Sequence, residues 1–241
     1  MSLHSKNEND SLTAPAPAAD WDIYWQKKKG SAGTLYNVIA VFYRNFIIKP
    51  YLNLFLKKYF HVGAKVLHAG CGSGRVDSDI IQWLNVTAMD ISFGAVALYK
   101  KSNPNAGKVI RADILNTPFA DETFSGIYNL GVMEHFTVKE IQKILGEFKR
   151  ILKPKGRIVL FWPPEFGLSV RVLNFVHYIA NNVFKKSLQL HPAEISLIKN
   201  KDHIISICGP LGLTIIGYHF GLKDLCTQVV VVLEKNSAQK L

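Results

Sequence analysis

The sequence predicts an α/β fold: a doubly wound, mostly parallel seven-stranded sheet with helices on both faces and an antiparallel pair of strands at the carboxyl end. Three observations predict it. Short apolar runs alternate with segments of helical periodicity in the order β-α-β-α-β-β-α-β. A glycine-rich turn, Gly70-Cys-Gly-Ser-Gly74, stands between the first run and the helical segment after it. Beyond a long interruption of that alternation, two more apolar runs, Leu213–Tyr218 and Gln228–Leu233, close the chain.

The elements follow in order. Leu35, Val38, Ile39, Phe42 and Phe46 recur at helical spacing, and Pro50 is expected to break this helix and start another through Tyr59. Lys65–Ala69 reads as the first strand. Past the glycines, Val76, Ile80, Ile81 and Leu84 mark one face of a helix. Val86–Met89 is the second strand with Asp90 at its end, Phe93–Lys101 a helix, and Lys108–Arg111 the third strand. Phe124–Leu130 is the fourth strand. Thr137-Val-Lys-Glu140 fits a capping box, in which the threonine hydroxyl and the glutamate each satisfy an orphan backbone amide. Behind it, Ile141, Ile144, Leu145, Phe148, Ile151 and Leu152 make the clearest amphipathic stripe in the chain. Lys153-Pro-Lys-Gly156 stops that helix, and Arg157–Trp162 is a buried fifth strand.

Two segments stand apart. Residues 1–20 are polar and rich in Ala and Pro, too poor in bulky apolar groups to offset their ordering entropy, and read as a disordered lead-in. Residues 21–241 then form one domain. Within it, Pro163–Lys201 breaks the alternation, with Leu168, Val172, Val176, Ile179 and Val183 suggesting an inserted helix that lids a substrate pocket.

Composition narrows the function classes. The three cysteines, Cys71, Cys208 and Cys226, have no paired spacing, which argues against a disulfide framework or a metal site and for a reducing cytoplasm. The apolar stretch from Val38 to Leu56 is interrupted by Arg44, Asn45, Lys49, Pro50 and Asn53, so a transmembrane helix is not expected. The net charge is +11, from 29 basic and 18 acidic residues. The basic residues fall in short scattered clusters without a nucleic-acid-binding signature, which favours a solvated basic surface over a nucleic-acid groove. Peripheral contact with a membrane stays open, as does the oligomeric state.

The glycine turn carries the main functional signal. Glycines at 70, 72 and 74 let the backbone turn sharply and let a ligand lie against main-chain atoms. A following helix would aim unpaired N–H groups at that space. Asp90 stands twenty residues beyond Gly70, where an acid in doubly wound folds accepts hydrogen bonds from the ribose hydroxyls of an adenosine. The alternative role for Asp90 is to cap the next helix.

In these pieces the chain resembles a class I S-adenosylmethionine-dependent methyltransferase of the type 11 group, with a Rossmann-like fold. Gly70–Gly74 is similar to the family's first motif, Met89-Asp90 to its ribose acid, and Arg111-Ala-Asp113 to the segment whose acid meets the adenine amino group. Thr117–Phe124 resembles the loop before strand four, Gly131-Val-Met-Glu-His135 the segment after it, and Leu152–Arg157 the turn into strand five. The resemblance implies S-adenosylmethionine as cofactor. It implies a binding set of His68, Gly70, Cys71, Gly72, Asp90 and Ile91, continued by Ala112, Asp113, Ile114, Asn129 and Leu130. At His68 the family usually has an acid that helps hold the cofactor's amino end. A neutral imidazole still accepts a hydrogen bond but loses the charge attraction, and simple packing at the strand end is the other reading.

Two rivals differ in class. A nicotinamide-dependent oxidoreductase would carry a glycine where Arg75 stands, and the Tyr24/Lys28 pair lies on the wrong side of the glycine turn for one. A non-catalytic S-adenosylmethionine-binding protein would keep the same motifs. Methyl transfer asks the protein mainly to position its reactants, so strong acid–base groups are optional. Glu134 and His135 are the candidates for such help, against structural roles as a turn cap and a packing ring. Trp21, Tyr24 and Trp25 form an aromatic cluster that suits a cover over a sulfonium. The aromatic and aliphatic character of the N-terminal helices and of Pro163–Lys201 suits a small, lipid-like or amphiphilic acceptor. Methylation of RNA or protein is the alternative.

Overall fold

The computed structural model describes residues 21–25, 41–168 and 194–236. The apolar runs form β1 (Lys65–Ala69), β2 (Asn85–Asp90), β3 (Lys108–Arg111), β4 (Phe124–Leu130), β5 (Leu152–Trp162), β6 (Leu213–His219) and β7 (Val229–Lys235). They make one sheet in the order β3-β2-β1-β4-β5-β7-β6. Strands β1 to β5 pair in parallel, and β7 runs antiparallel between β5 and β6. The order therefore reverses between β1 and β4, which opens a crevice at the carboxyl ends of those two strands.

The faces are covered by α1 (Lys49–Tyr59), α2 (Phe93–Ser102), α3 (Val138–Ile151) and α4 (Lys201–Cys208). Because successive strand residues point to opposite faces, each strand feeds two cores. On one face Leu67, Ile127, Ile158, Leu160 and Val231 pack under Ile141, Ile144, Leu145 and Phe148 of α3 and Ile204 and Ile207 of α4. On the other, Val66, Val159, Phe161, Val230 and Val232 meet Leu52, Phe55 and Leu56 of α1. The capping box is formed: Thr137 N–H donates to Glu140 Oε2 at 2.9 Å, and Glu140 N–H to Thr137 Oγ1 at 3.4 Å. None of these helices is long and apolar enough to cross a membrane.

Two expectations need correction. Pro50 does not break the N-terminal helix. A π-helical segment, Arg44–Ile48, runs directly into α1, with Pro50 in its first turn. Widening the helix there accommodates a residue that has no N–H and whose ring crowds the preceding turn. The segment after the glycines is not a continuous helix but a series of turns with one 3₁₀ turn, Ile80–Gln82. Asp77, Ser78 and Asp79 interrupt it, being residues that bond locally and favour caps over helix interiors. Val76, Ile80 and Leu84 are still buried. The last helix, α4, carries no expectation from the sequence, although Asn200 caps it by accepting from His203 N–H at 2.8 Å.

The lead-in and most of the inserted helix lie outside the described residues. The two ends of the insertion meet: Ile198 N–H donates to Pro163 O at 3.1 Å and Glu165 N–H to Ile198 O at 3.0 Å.

Gly126 illustrates how tightly α1 is seated. A Cβ on this β4 residue would fall inside the buried ring of Phe60, just past the end of α1. Gly126→Ala should therefore destabilise the fold by about 1–3 kcal/mol, as overpacking does. Urea denaturation checks this. Restoration of most of the loss in a Phe60→Leu background is expected, because the smaller side chain vacates the contested space.

Candidate functional site

A cavity of about 600 Å³ opens over the crevice between β1 and β4. Its floor on one side is the glycine turn. Gly70, Gly72 and Gly74 all have positive φ (71°, 52° and 65°), a conformation that other residues adopt only at a cost. Space enforces the same choice: a Cβ on Gly70 would lie 2.5 Å from Val132 Cγ2, and one on Gly72 2.9 Å from the Trp25 ring. The turn is pinned to β2 by Gly70 and Cys71 N–H groups donating to Met89 O at 2.8 and 3.0 Å.

Asp90 joins turn and strand end. Its Oδ2 accepts from Gly72 N–H at 2.8 Å and its Oδ1 from Ser92 N–H at 2.9 Å. Burial holds its carboxyl above the ordinary carboxylate range, with those two amides pulling the other way. Capping of α2 falls to Ser92, whose Oγ accepts from Ala95 N–H at 3.1 Å. Asp113 lies on the cavity wall, with Oδ1 held by Leu115 N–H at 2.9 Å.

His68 lines the cavity and is otherwise buried. Its ring stacks on Tyr128 at 4.3 Å, and its Nδ1 lies 2.6 Å from Asp77 Oδ2. A carboxylate oxygen only accepts, so Nδ1 carries the proton and Nε2 is left as an acceptor. Tyr99 Oη also donates to Asp77 Oδ2 at 2.6 Å, while Asp77 Oδ1 is buried without a hydrogen-bond partner. Sequence reading missed Asp77, which follows the first glycine motif in an unremarkable polar run.

Residues 21–25 form a helical turn over the cavity. Trp21 meets the His135 ring edge-on at 5.0 Å, and Trp21, Tyr24 and Trp25 all line the wall. Asp22 anchors them: its Oδ1 accepts from Gly94 N–H at 3.2 Å and from Ser92 Oγ, and these bonds hold its carboxyl below the usual range.

Of the candidates read from sequence, His68, Gly70, Cys71, Gly72, Asp90, Ile91, Ala112, Asp113, Ile114, Leu130 and His135 face the cavity. Asn129 does not. It is buried behind the wall, where its Nδ2 donates to Ala69 O at 2.9 Å and ties β4 to β1. Glu134 does not either. Its side chain is buried, and its backbone oxygen accepts from Ile195 and Ser196 N–H at 2.5 and 3.0 Å. Burial raises its carboxyl to about 8. A group so placed keeps its proton at neutral pH and cannot reach a reactant, so of the two candidate acid–base groups only His135 stands at the cavity. The other half of the wall, which the sequence does not mark as part of a site, includes Tyr43, Arg44, Ile48, Phe161 and Gln228. Among the described residues no cluster of His, Cys, Asp or Glu is placed to hold a metal.

Residues 67–160 match the family model described as a methyltransferase domain. An uncharacterized protein of Methanocaldococcus jannaschii is 33% identical over 110 residues, which is 45% of this chain and 45% of that protein. The malonyl-[acyl-carrier protein] O-methyltransferase of Pectobacterium atrosepticum is 37% identical over 111 residues, 45% of this chain and 42% of its own length. The chain thus aligns with less than half the length of either relative. In fold, it resembles the magnesium protoporphyrin IX methyltransferase of Synechocystis, solved with bound S-adenosylhomocysteine. The TM-score is 0.64 at 16% identity, over 91% of this chain and 96% of that one.

Proposed function

We propose that this chain, which carries a class I S-adenosylmethionine-dependent methyltransferase domain over residues 67–160, binds S-adenosylmethionine in the cavity above β1 and β4 and transfers its methyl group to a small or amphiphilic acceptor. The observation that carries this reading is the single cavity wall on which three glycines of positive φ, Asp90 and Asp113 converge from the carboxyl ends of successive strands.

The residues fit the cofactor part by part. Asp90 is pre-set by two backbone amides, so its remaining lone pairs point at the place of a ribose. Asp113 takes the adenine amino group. The amino end meets His68, whose Nε2 accepts a hydrogen bond while Asp77 behind it restores the negative charge that a strand-end acid would have supplied. Trp21, Tyr24 and Trp25 roof the sulfur end with aromatic faces and exclude water. When bound, the cofactor supplies the activated methyl group. What the chain adds is alignment of the acceptor and, for an acceptor that must lose a proton, His135 as its recipient. Ile48, Phe136 and Phe161 give the acceptor half an apolar lining. No strong base stands there beside His135 among the described residues, which suits a nucleophile that arrives ready to react.

The test is transfer of tritiated methyl from S-adenosylmethionine into fractionated cell extract. Label is expected in organic-soluble or small-molecule fractions. Label confined to RNA or protein would overturn the acceptor class. Binding of S-adenosylhomocysteine with no transfer to any fraction would mark a non-catalytic binding protein.

A further inference from the structure

The cavity crosses the point where strand order reverses, so its two halves sit over different strands. The cofactor half lies over β1, β2 and β3. The remaining half is walled by Tyr43, Arg44, Ile48, Phe161 and Gln228, over β5 and β7. Strand β7 is three places from β1, a lateral offset of roughly 14 Å at ordinary strand spacing. Gln228 is therefore out of reach of a group resting on the glycine turn.

Arg44 is the notable residue of this half. It is half-buried on the π-helical segment, and no hydrogen bond or ion pair joins its guanidinium to any described residue. Its charge is felt by the hydroxyls of Tyr24 and Tyr43. Asp224, whose charge also reaches the Tyr43 hydroxyl, does not pair with it: its Oδ2 accepts from Gln228 N–H at 2.6 Å and from Thr227 Oγ1 at 3.2 Å, and its Oδ1 is buried without a hydrogen-bond partner. Among the described residues no carboxylate bonds this guanidinium, which lines the cavity beside Ile48 and Phe161 and is open to an anion that enters it.

Gln228 supplies a second donor. Its Oε1 is buried without a partner, and no hydrogen bond joins its side chain to a described residue. An amide can present either end, so an NH₂ is available to a ligand oxygen. The two residues are held together through their neighbours. Tyr43 Oη hydrogen-bonds Thr227 Oγ1 and lies 3.4 Å from Asp224 O, which stitches the segment carrying Arg44 to the segment carrying Gln228.

We propose that Arg44 and Gln228 seat a carboxylate of the methyl acceptor, so that the substrate class is an apolar or amphiphilic carboxylic acid. This deepens the function proposed above and rests on it. The planar guanidinium fork matches two coplanar oxygens. One cation with one neutral amide balances a single negative charge. A phosphate monoester brings nearly two, which would leave excess charge against an apolar wall. The exposed Arg75, by contrast, stands at the glycine-turn end of the cavity, where an anion of the cofactor would lie.

Calorimetry in saturating S-adenosylhomocysteine tests this with octanoate, 3-phenylpropionate, their amides and octyl phosphate. On the wild type, at least one carboxylate should bind tenfold or more tighter than its amide. Arg44→Met should erase that preference, and Gln228→Leu should reduce it severalfold. Affinity for S-adenosylhomocysteine should stay within threefold of the wild type in both variants, which also reports an intact fold. Equal binding of carboxylates and amides by the wild type overturns the proposal without recourse to any variant. So does octyl phosphate binding tenfold tighter than octanoate, which would make the seat a phosphate site. Loss of S-adenosylhomocysteine affinity in Arg44→Met would place Arg44 on the cofactor and also overturn it. Failure of the wild type to bind S-adenosylhomocysteine would instead remove the methyltransferase reading on which the proposal rests.

Discussion

Asp90→Ala is expected to lower the affinity for S-adenosylhomocysteine tenfold to a hundredfold. The carboxylate bridges Gly72 and Ser92 with one oxygen each, so its position is set before any ligand arrives. Charge-assisted hydrogen bonds to two ribose hydroxyls are worth roughly 1.5–3 kcal/mol together, which converts to that range of affinity. Removing the side chain also frees two backbone amides, so part of the loss could come from a loosened glycine turn. Asp90→Asn separates the two effects, because the amide keeps an acceptor for one of those N–H groups and loses the charge. Calorimetry with a thermal-unfolding control on both variants is the measurement. Unchanged affinity in an intact Asp90→Ala protein would remove Asp90 from the ribose site. A pH dependence follows from the raised carboxyl of Asp90. As pH falls, the charged form is lost earlier than for an ordinary carboxylate, so cofactor affinity should begin to fall while exposed carboxylates are still ionised.

Legibility in the sequence follows how local each feature is. The strands, the stripe of α3 and its capping box depend on residues a few positions apart, and their spacing is visible without tertiary knowledge. The glycine turn is visible for the same reason. The segment after it misleads because Val76, Ile80 and Leu84 do have helical spacing and are buried. The polar run at Asp77–Asp79 spends that spacing on turns instead, and Asp77 is drawn inward by His68 and Tyr99. Those partners lie nine and twenty-two residues away, beyond any local pattern. The resemblance places Asn129 in the binding set and the position after strand four makes Glu134 a candidate, yet both side chains are buried away from the cavity, Asn129 tying β4 to β1. The acceptor half is the least legible part. Arg44 and Gln228 are 184 positions apart in the chain and come to one cavity wall through the placing of β7 between β5 and β6.

Glu134→Gln is expected to flatten the pH dependence of stability between pH 6 and pH 8. The wild-type side chain is buried, its Oε2 has no hydrogen-bond partner, and desolvation lifts its carboxyl to about 8, with a smaller push from Glu194. In the unfolded chain the same group ionises near the ordinary glutamate value of about 4.3. Between those two values the folded state holds a proton that the unfolded state has released. Stability must therefore fall as pH rises across that window, and the loss is complete only above the folded value. At about 1.4 kcal/mol for each pH unit of separation, the full penalty has an upper limit of roughly 5 kcal/mol. Glutamine has nearly the same shape and no proton to lose, so its contribution is flat. Urea denaturation at pH 6, 7 and 8 should show the variant gaining on the wild type at each step, and other titrating groups cancel in that difference. Affinity for S-adenosylhomocysteine should not change, because Glu134 lies behind the wall of the cavity. Parallel pH profiles for the two proteins would mean that the buried carboxyl is ionised in the folded state, with a charge partner supplied from beyond the described residues.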